Sequence, residues 1–366
     1  MSRIPRRIQT LLFAFWSVIA WVEAAPEPPS LRPQAFAPDL AWEGSHFLRA
    51  DRAGNIYLFR AEKGEVYPVS KSGELGKPQS LQTANESLGY VHSVALSASG
   101  DTWLVYAESR VRFFVDGKEK PITAPEWRPW SVGFLRDTPM ICVVPRPTPA
   151  AHLRLKDLGA VPWLIAFDGD RWNNVVEHSE LSAADAWKER SRMNEWIAEY
   201  AGFLAGDRKG KLWMASQYGY RVQRLSAGGR PLLEIRVKTR EADSPKRKAQ
   251  AGAAEMVKQA EVRGGTAQSF EAAQVVADLT EGADGALYLL VNPGDGNTLA
   301  LDRYDSVRGV LERAPLSLEG SGNYTLASGK DGLYLAAWNA KMGRWKLSWQ
   351  ALEQADWKKV EGAEIH

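Results

Sequence analysis

The sequence of 366 residues predicts an all-β fold, a propeller of six four-stranded antiparallel blades with helical insertions on one face. Three observations predict it. A strand–turn–strand unit recurs six times at a spacing of about 40–50 residues, the mark of stacked β units. Five of the six turns end in glycine, and five of the second strands carry a tyrosine or tryptophan two or three residues beyond that glycine. A second hairpin follows in each unit, and the two landmarks alternate in the same order along the chain.

Reading from the start, Arg3, Arg6 and Arg7 precede an apolar run from Leu11 to Val22, and Val22 and Ala24 give a small-residue cleavage pattern. This is the pattern of a secretory signal peptide over residues 1–24. The run is shorter than the ~20 residues of a spanning helix. No cysteine follows it, so no lipid anchor is expected, and no second stretch is apolar enough to span. Export to the periplasm or the cell exterior is the expectation. Loss of that segment removes three arginines and one glutamate from totals of 46 basic and 44 acidic residues, leaving 43 of each. A neutral chain offers no field for nucleic acid. Residues 25–43, with Pro26, Pro28, Pro29, Pro33 and Pro38, read as a linker or strap, and residues 39–43 as a segment able to complete the last sheet. Residues 44–366 form the propeller. The single cysteine, Cys142, excludes an internal disulfide and lies in an apolar strand, where free cysteine is usually packed.

The six first turns are Asp51-Arg52-Ala53-Gly54, Ser97-Ala98-Ser99-Gly100, Arg136-Asp137-Thr138, Asp207-Arg208-Lys209-Gly210, Gly282-Ala283-Asp284-Gly285 and Gly329-Lys330-Asp331-Gly332. Glycine ends five because it alone adopts a left-handed backbone without strain. Tyr57, Trp103, Trp213, Tyr288 and Tyr334 follow in second strands, where aromatic side chains suit a half-buried pleat. The second hairpins fall at Lys71-Ser72-Gly73, Val115-Asp116-Gly117, Phe167-Asp168-Gly169 and Ser226-Ala227-Gly228, with weaker versions at Tyr304-Asp305-Ser306 and Glu353-Gln354-Ala355. The blades are thereby expected at 44–82, 91–123, 130–177, 202–237, 274–317 and 323–360.

Units such as DRAGNIYLFRAEKGEVYPVSKSGEL and DRKGKLWMASQYGYRVQRLSAGGRPL resemble the NHL-type repeats of six-bladed propellers in the TolB-like superfamily. The resemblance covers roughly residues 44–360. It implies architecture, since related propellers include calcium-dependent lactonases, lyases, receptor ectodomains and scaffolds. The lactonase-like members hold calcium with a Glu/Asn/Asp set in the channel, of which the innermost strands here offer Asp278. An antibiotic-lyase-like propeller uses His and Glu near the channel mouth, matched here by His46, His92 and Glu86.

Three stretches exceed the regular spacing: 145–162, 178–201 and 238–273. In a propeller the second-to-third-strand loops and the inter-blade loops share one face, so all three are expected there, on neighbouring blades. Elongated loops are where function concentrates. Residues 178–201 read as a helix capped by Ser182, and residues 238–273 as a polar helix opened by Ser244-Pro245.

Counting eight residues back from the end of each first turn gives the start of an innermost strand on that face: His46, His92, Trp130, Gly202, Ala277 and Tyr324. His46, His92, Trp130 and Tyr324, with Glu86, Tyr218 and Trp338, are the candidate ligand-binding residues. Histidine performs acid–base work near neutral pH, and exposed tryptophan stacks on ligands or anchors a partner. No metal-binding or nucleophile motif appears, and no cofactor or metal is expected. The expected role is a binding or scaffold module for a protein or small molecule at the elaborated face. A hydrolase or lyase using His46 and His92 is the alternative.

Overall fold

The computed structural model describes residues 30–36, 45–81, 87–148, 160–182, 200–206, 209–238, 275–292, 299–318, 323–338 and 343–366. A short strand β1 (Gln34–Ala35) precedes the blades. Blade 1 is β2 (His46–Ala50), β3 (Ile56–Arg60), β4 (Glu65–Val69) and β5 (Gln79–Ser80). Blade 2 is β6 (Val91–Leu96), β7 (Thr102–Ala107), β8 (Arg110–Val115) and β9 (Lys118–Lys120). Blade 3 is β10 (Trp127–Leu135), β11 (Thr138–Pro147), β12 (Ala160–Phe167) and β13 (Trp172–Ser182). Blade 4 is β14 (Gly202–Gly206), β15 (Leu212–Ser216), β16 (Arg221–Leu225) and β17 (Pro231–Val237). Blade 5 is β18 (Val276–Glu281), β19 (Leu287–Val291), β20 (Leu299–Asp305) and β21 (Val310–Leu316). Blade 6 is β22 (Asn323–Ser328), β23 (Gly332–Trp338) and β24 (Arg344–Ser348), completed by β1. A helix α1 (Trp349–Glu353) and strands β25 (Lys358–Lys359) and β26 (Ala363–Ile365) end the chain. Every pairing between strands is antiparallel.

The core lies between blades. Side chains alternate along a strand, so successive residues enter the two wedges on either side of each blade. Thus Trp103, Val105 and Ala107 pack with Phe47 and Phe59 of blade 1, whereas Leu104 and Tyr106 pack with Val132 and Ile141 of blade 3. Six apolar clusters fill the six wedges around the ring. The repeated aromatics are wedge residues: Trp103 stacks on Phe59 at 5.8 Å, and Trp213 meets Tyr304 edge-on at 6.2 Å. Among the described residues the wedge between blades 3 and 4 is the thinnest, with Leu135, Met140, Leu164, Leu212 and Leu225 as its buried residues.

The first turns behave as their composition requires. Gly54, Gly100, Gly210 and Gly285 have φ of 75, 85, 75 and 79°. The third turn lacks glycine and puts Arg136 at φ 59° instead. Tyr57, Tyr288 and Tyr334 donate their hydroxyls to Asp51, Asp284 and Asp331 of their own turns, at 3.3, 2.7 and 2.9 Å. Neighbouring turns also bond one another. Lys330 N donates to Gly54 O at 3.3 Å, Arg52 N to Ala98 O at 3.0 Å, and Ala98 N to Arg136 O at 3.4 Å.

Ring closure departs from the sequence expectation in two places. Blade 6 receives its outer strand from Gln34–Ala35, which pair with Lys346 and Trp345, rather than from residues 39–43. With that position filled, no hairpin forms at Glu353-Gln354-Ala355. Ser348 caps α1 by accepting from Ala351 N at 3.1 Å. The chain then runs around the outside, adding β25 to blade 5 and β26 to blade 4 as fifth strands.

Two further corrections concern the long stretches. Residues 145–147 and 160–162 extend β11 and β12, and residues 178–182 end β13, so the first part of the stretch expected as a helix is strand. The strands of blade 3 therefore run to 8–11 residues. Among the described residues the five-residue α1 is the one named helix, and it lies outside the three stretches. The helices expected within 182–201 and 238–273 fall outside the described residues except at Tyr200, Ala201 and Lys238, as do the leader, residues 39–43 and Glu86.

Candidate functional site

The inner edge of each innermost strand faces the channel and has no strand partner, so its N–H and C=O groups need other partners. The preceding blade supplies them, with side chains in five cases and a backbone carbonyl in the sixth. Asp278 of blade 5 accepts from Leu326 N of blade 6 at 2.9 Å. Thr325 of blade 6 accepts from Leu48 N of blade 1 at 3.0 Å. Arg49 of blade 1 donates to Val94 O of blade 2 at 2.8 Å. Ser93 of blade 2 accepts from Val132 N of blade 3 at 3.2 Å, and Ser131 of blade 3 donates to Gly202 O of blade 4. Between blades 4 and 5, Gln217 O accepts from Val275 N and Val276 N at 2.8 and 3.1 Å.

Asp278, Thr325, Ser93 and Ser131 each lie seven residues before the end of a first turn, one residue from the positions chosen from sequence. Blades 1 and 4 carry Phe47 and Phe203 there, and Arg49 and Gln217 take over. Arg49 also bonds the Asp278 carboxylate at 3.2 Å, joining blade 1 to blade 5. Asp278 is buried, and burial raises its carboxyl pKa despite the Arg49 guanidinium and two backbone N–H donors. The channel is thus braced by a polar girdle. Among the described residues, no three His, Cys, Asp or Glu side chains group to hold a metal ion.

Above the girdle, at the face where innermost strands begin, two aromatic groups form. In the first, His92 stacks on Tyr106 with ring centres 4.9 Å apart and meets Tyr90 edge-on at 4.8 Å. Tyr90 is 52% exposed, and His92 is exposed beside it. Partial burial and then the Arg128 guanidinium of blade 3 lower the His92 pKa, so the ring is neutral at neutral pH. In the second, Trp130 of blade 3 donates its indole N–H to the Gln217 side chain at 3.0 Å and meets Tyr218 edge-on at 6.0 Å. Tyr218 is buried and its hydroxyl pKa is pushed up to about 12 by that burial. Gln217 therefore ties blades 3, 4 and 5 together at the mouth.

The other candidates sit elsewhere. His46 begins β2 but is 1% exposed, so it presents no ring to solvent. Tyr324 is buried in the wedge between blades 5 and 6, with its ring 6.2 Å from Trp345. Trp338 ends β23. Cys142 is fully buried and burial raises its thiol pKa to about 12, which makes it a packing residue.

One residue near the first aromatic group escaped the sequence reading. The two-residue hairpin between β7 and β8 is Glu108-Ser109, with φ of 46 and 71°. Two left-handed residues make a type I′ turn, which favours Asn-Gly or Asp-Gly. A left-handed backbone costs a non-glycine residue roughly 1–2 kcal/mol. The other hairpin of the same blade uses the preferred pair, Asp116-Gly117. The strained turn places Glu108 N on Tyr90 O at 3.1 Å, and its carboxylate packs so closely on Gly89 that a Cβ there would collide with it.

No known family model matches the sequence, and no curated protein matches it. Among solved structures, the chain is similar to a virginiamycin B lyase from Staphylococcus aureus at 10% identity, covering 86% of this chain and 98% of that one, with a TM-score of 0.45. It is similar to the WD40 repeats of RRP9 at 8% identity over 86% and 99%, TM-score 0.47. A PQQ-bound aldose sugar dehydrogenase from Streptomyces coelicolor gives 13% identity over 92% and 98%, TM-score 0.42. At such identities and scores the activities of those proteins stay with those proteins, and the six-bladed fold rests on the sheet topology of this chain.

Proposed function

We propose that the chain is an exported binding module whose ligand stacks on the aromatic groups of blades 2–4 at the mouth of the channel. The observation that carries this is the contrast between mouth and channel. The channel's polar side chains are committed to bracing neighbouring blades, while Tyr90 and His92 present ring surface to solvent at the mouth. Flat rings fixed by packing bind ring-bearing or apolar ligands at small entropic cost. The three long connections leave the sheets at this same face of blades 3–5, which suits a larger ligand or a protein segment. Export rests on the leader pattern of residues 1–24. The catalytic alternative at His46 and His92 loses ground because His46 has no solvent-facing surface.

The test is a calorimetric titration of the folded chain with p-cresol, a neutral phenolic ring. Tyr90→Ala and Trp130→Ala should each weaken binding severalfold, and Lys330→Ala on the opposite face should not. Binding that ignores both aromatic substitutions would refute the assignment.

A further inference from the structure

Among the described residues, the hairpin Glu108-Ser109 is the one place at the mouth where the backbone adopts a conformation its residues disfavour, twice in succession. Backbone strain of this kind persists where surrounding structure enforces it, and it clusters at ligand sites. Three further observations surround it. Gly89, itself at φ 67°, leaves room for the Glu108 carboxylate where any side chain would collide. Glu108 N bonds Tyr90 O, which ties the turn to a residue whose ring is exposed at the mouth. Arg128, an exposed residue of β10 in the next blade, has a guanidinium whose charge helps to lower the His92 pKa. The stack of Tyr90, His92 and Tyr106 thus has a carboxylate-bearing turn on its own blade and a guanidinium on the neighbouring one.

We infer that Glu108 is the charge-selecting residue of the mouth site, and that the ligand carries an ammonium group on or near a flat ring. The inference rests on the stacking role proposed above and adds to it the ligand's chemical class. The ring lies against Tyr90 and His92. The ammonium group pairs with the Glu108 carboxylate and gains from the exposed Tyr90 ring, which attracts cations through its quadrupole. His92, being neutral, does not oppose that charge. An Asn-Gly turn would relieve the strain but carries no carboxylate.

Calorimetric titration of the full chain with three probes tests this: tyramine, p-cresol and 3-(4-hydroxyphenyl)propionate, which share a phenol and differ in charge. The expected result is tyramine binding at least tenfold more tightly than p-cresol. Glu108→Gln should remove that advantage, bringing the tyramine-to-p-cresol ratio toward one, and Glu108→Asp should retain part of it. The double change Glu108→Asn with Ser109→Gly should raise Tm while losing the same selectivity, which separates a binding role from a folding role. An unchanged tyramine-to-p-cresol ratio in Glu108→Gln, or tighter binding of the propionate than of tyramine, overturns the inference. If p-cresol binding depends on Tyr90 while the ratio ignores Glu108, the stacking site stands and this inference falls. If none of the three probes binds, both fall.

Discussion

Arg49 reaches from blade 1 to bond Asp278 of blade 5 at 3.2 Å, with blade 6 between them. The same carboxylate accepts from Leu326 N and Leu279 N, both at 2.9 Å. A single buried side chain therefore couples three of the six blades at their inner edges. Removing one member of such a buried pair strands the other, which costs about 3–5 kcal/mol. Asp278→Ala should destabilise the chain by that order in urea unfolding, far more than a surface Asp→Ala such as Asp356→Ala.

The pH dependence follows from the same burial. Because the Asp278 pKa is raised in the folded state, the folded chain holds this proton more tightly than the unfolded chain does. Stability should then fall as pH rises from the ordinary carboxylate value of about 3.9 through the raised one. Asp278→Asn should abolish that part of the slope, as unfolding curves at a series of pH values would show.

Asp168 should behave in the opposite sense. Its carboxylate accepts from Arg171 N and Asp170 N, both at 3.0 Å, and from the Asn173 side chain at 2.7 Å, which hold its pKa down to about 2. Its stabilisation of the blade 3 hairpin should be present above the ordinary carboxylate value and be lost as pH falls through 2. Carboxyl-carbon NMR titration should find its midpoint near 2.

The first turns give a paired prediction. Gly54→Ala adds a Cβ at φ 75°, 3.1 Å from Lys330 N of the neighbouring turn, and should cost about 1–2 kcal/mol. Arg136→Gly at φ 59° removes strain and should be neutral or stabilising by up to about 1 kcal/mol. Thermal unfolding should show Gly54→Ala lowering Tm and Arg136→Gly leaving it unchanged or raising it.

The terminal straps should matter as much as the core. Leu31 N donates to Pro315 O at 2.8 Å, and Val360 N donates to Leu311 O at 3.0 Å, so both ends of the described chain bond the outer edge of β21. Phe36 is buried and meets Tyr334 edge-on at 5.5 Å. Phe36→Ala should cost about 3–5 kcal/mol and Leu31→Ala about 2–5 kcal/mol in urea unfolding.

Five blades were legible because each combines a glycine that the backbone demands with an aromatic that the wedge demands; blade 3 lacks both and was marked by its second hairpin, Phe167-Asp168-Gly169. Closure was not legible. Strands as short as Gln34–Ala35, Lys358–Lys359 and Ala363–Ile365 are too brief to carry an alternating pattern. The inner girdle was missed by one residue. The side-chain period of a strand is two, so a shift of one turns the reading from Asp278, Thr325, Ser93 and Ser131 to the residues beside them. Of the rim residues chosen, His92 and Trp130 do join aromatic groups, whereas burial claims His46 and Tyr324. Glu108 escaped because Glu-Ser is not a sequence signal for a type I′ turn. Its role emerges from backbone angles.

The central claim is that ligands stack at the mouth rather than enter the channel. Crystals soaked with p-cresol and tyramine test it most directly. The account predicts ring density against Tyr90 and His92, or against Trp130, with the Arg49–Asp278 pair intact. Density within the girdle beside a displaced Arg49, with those mouth rings unoccupied, would contradict it.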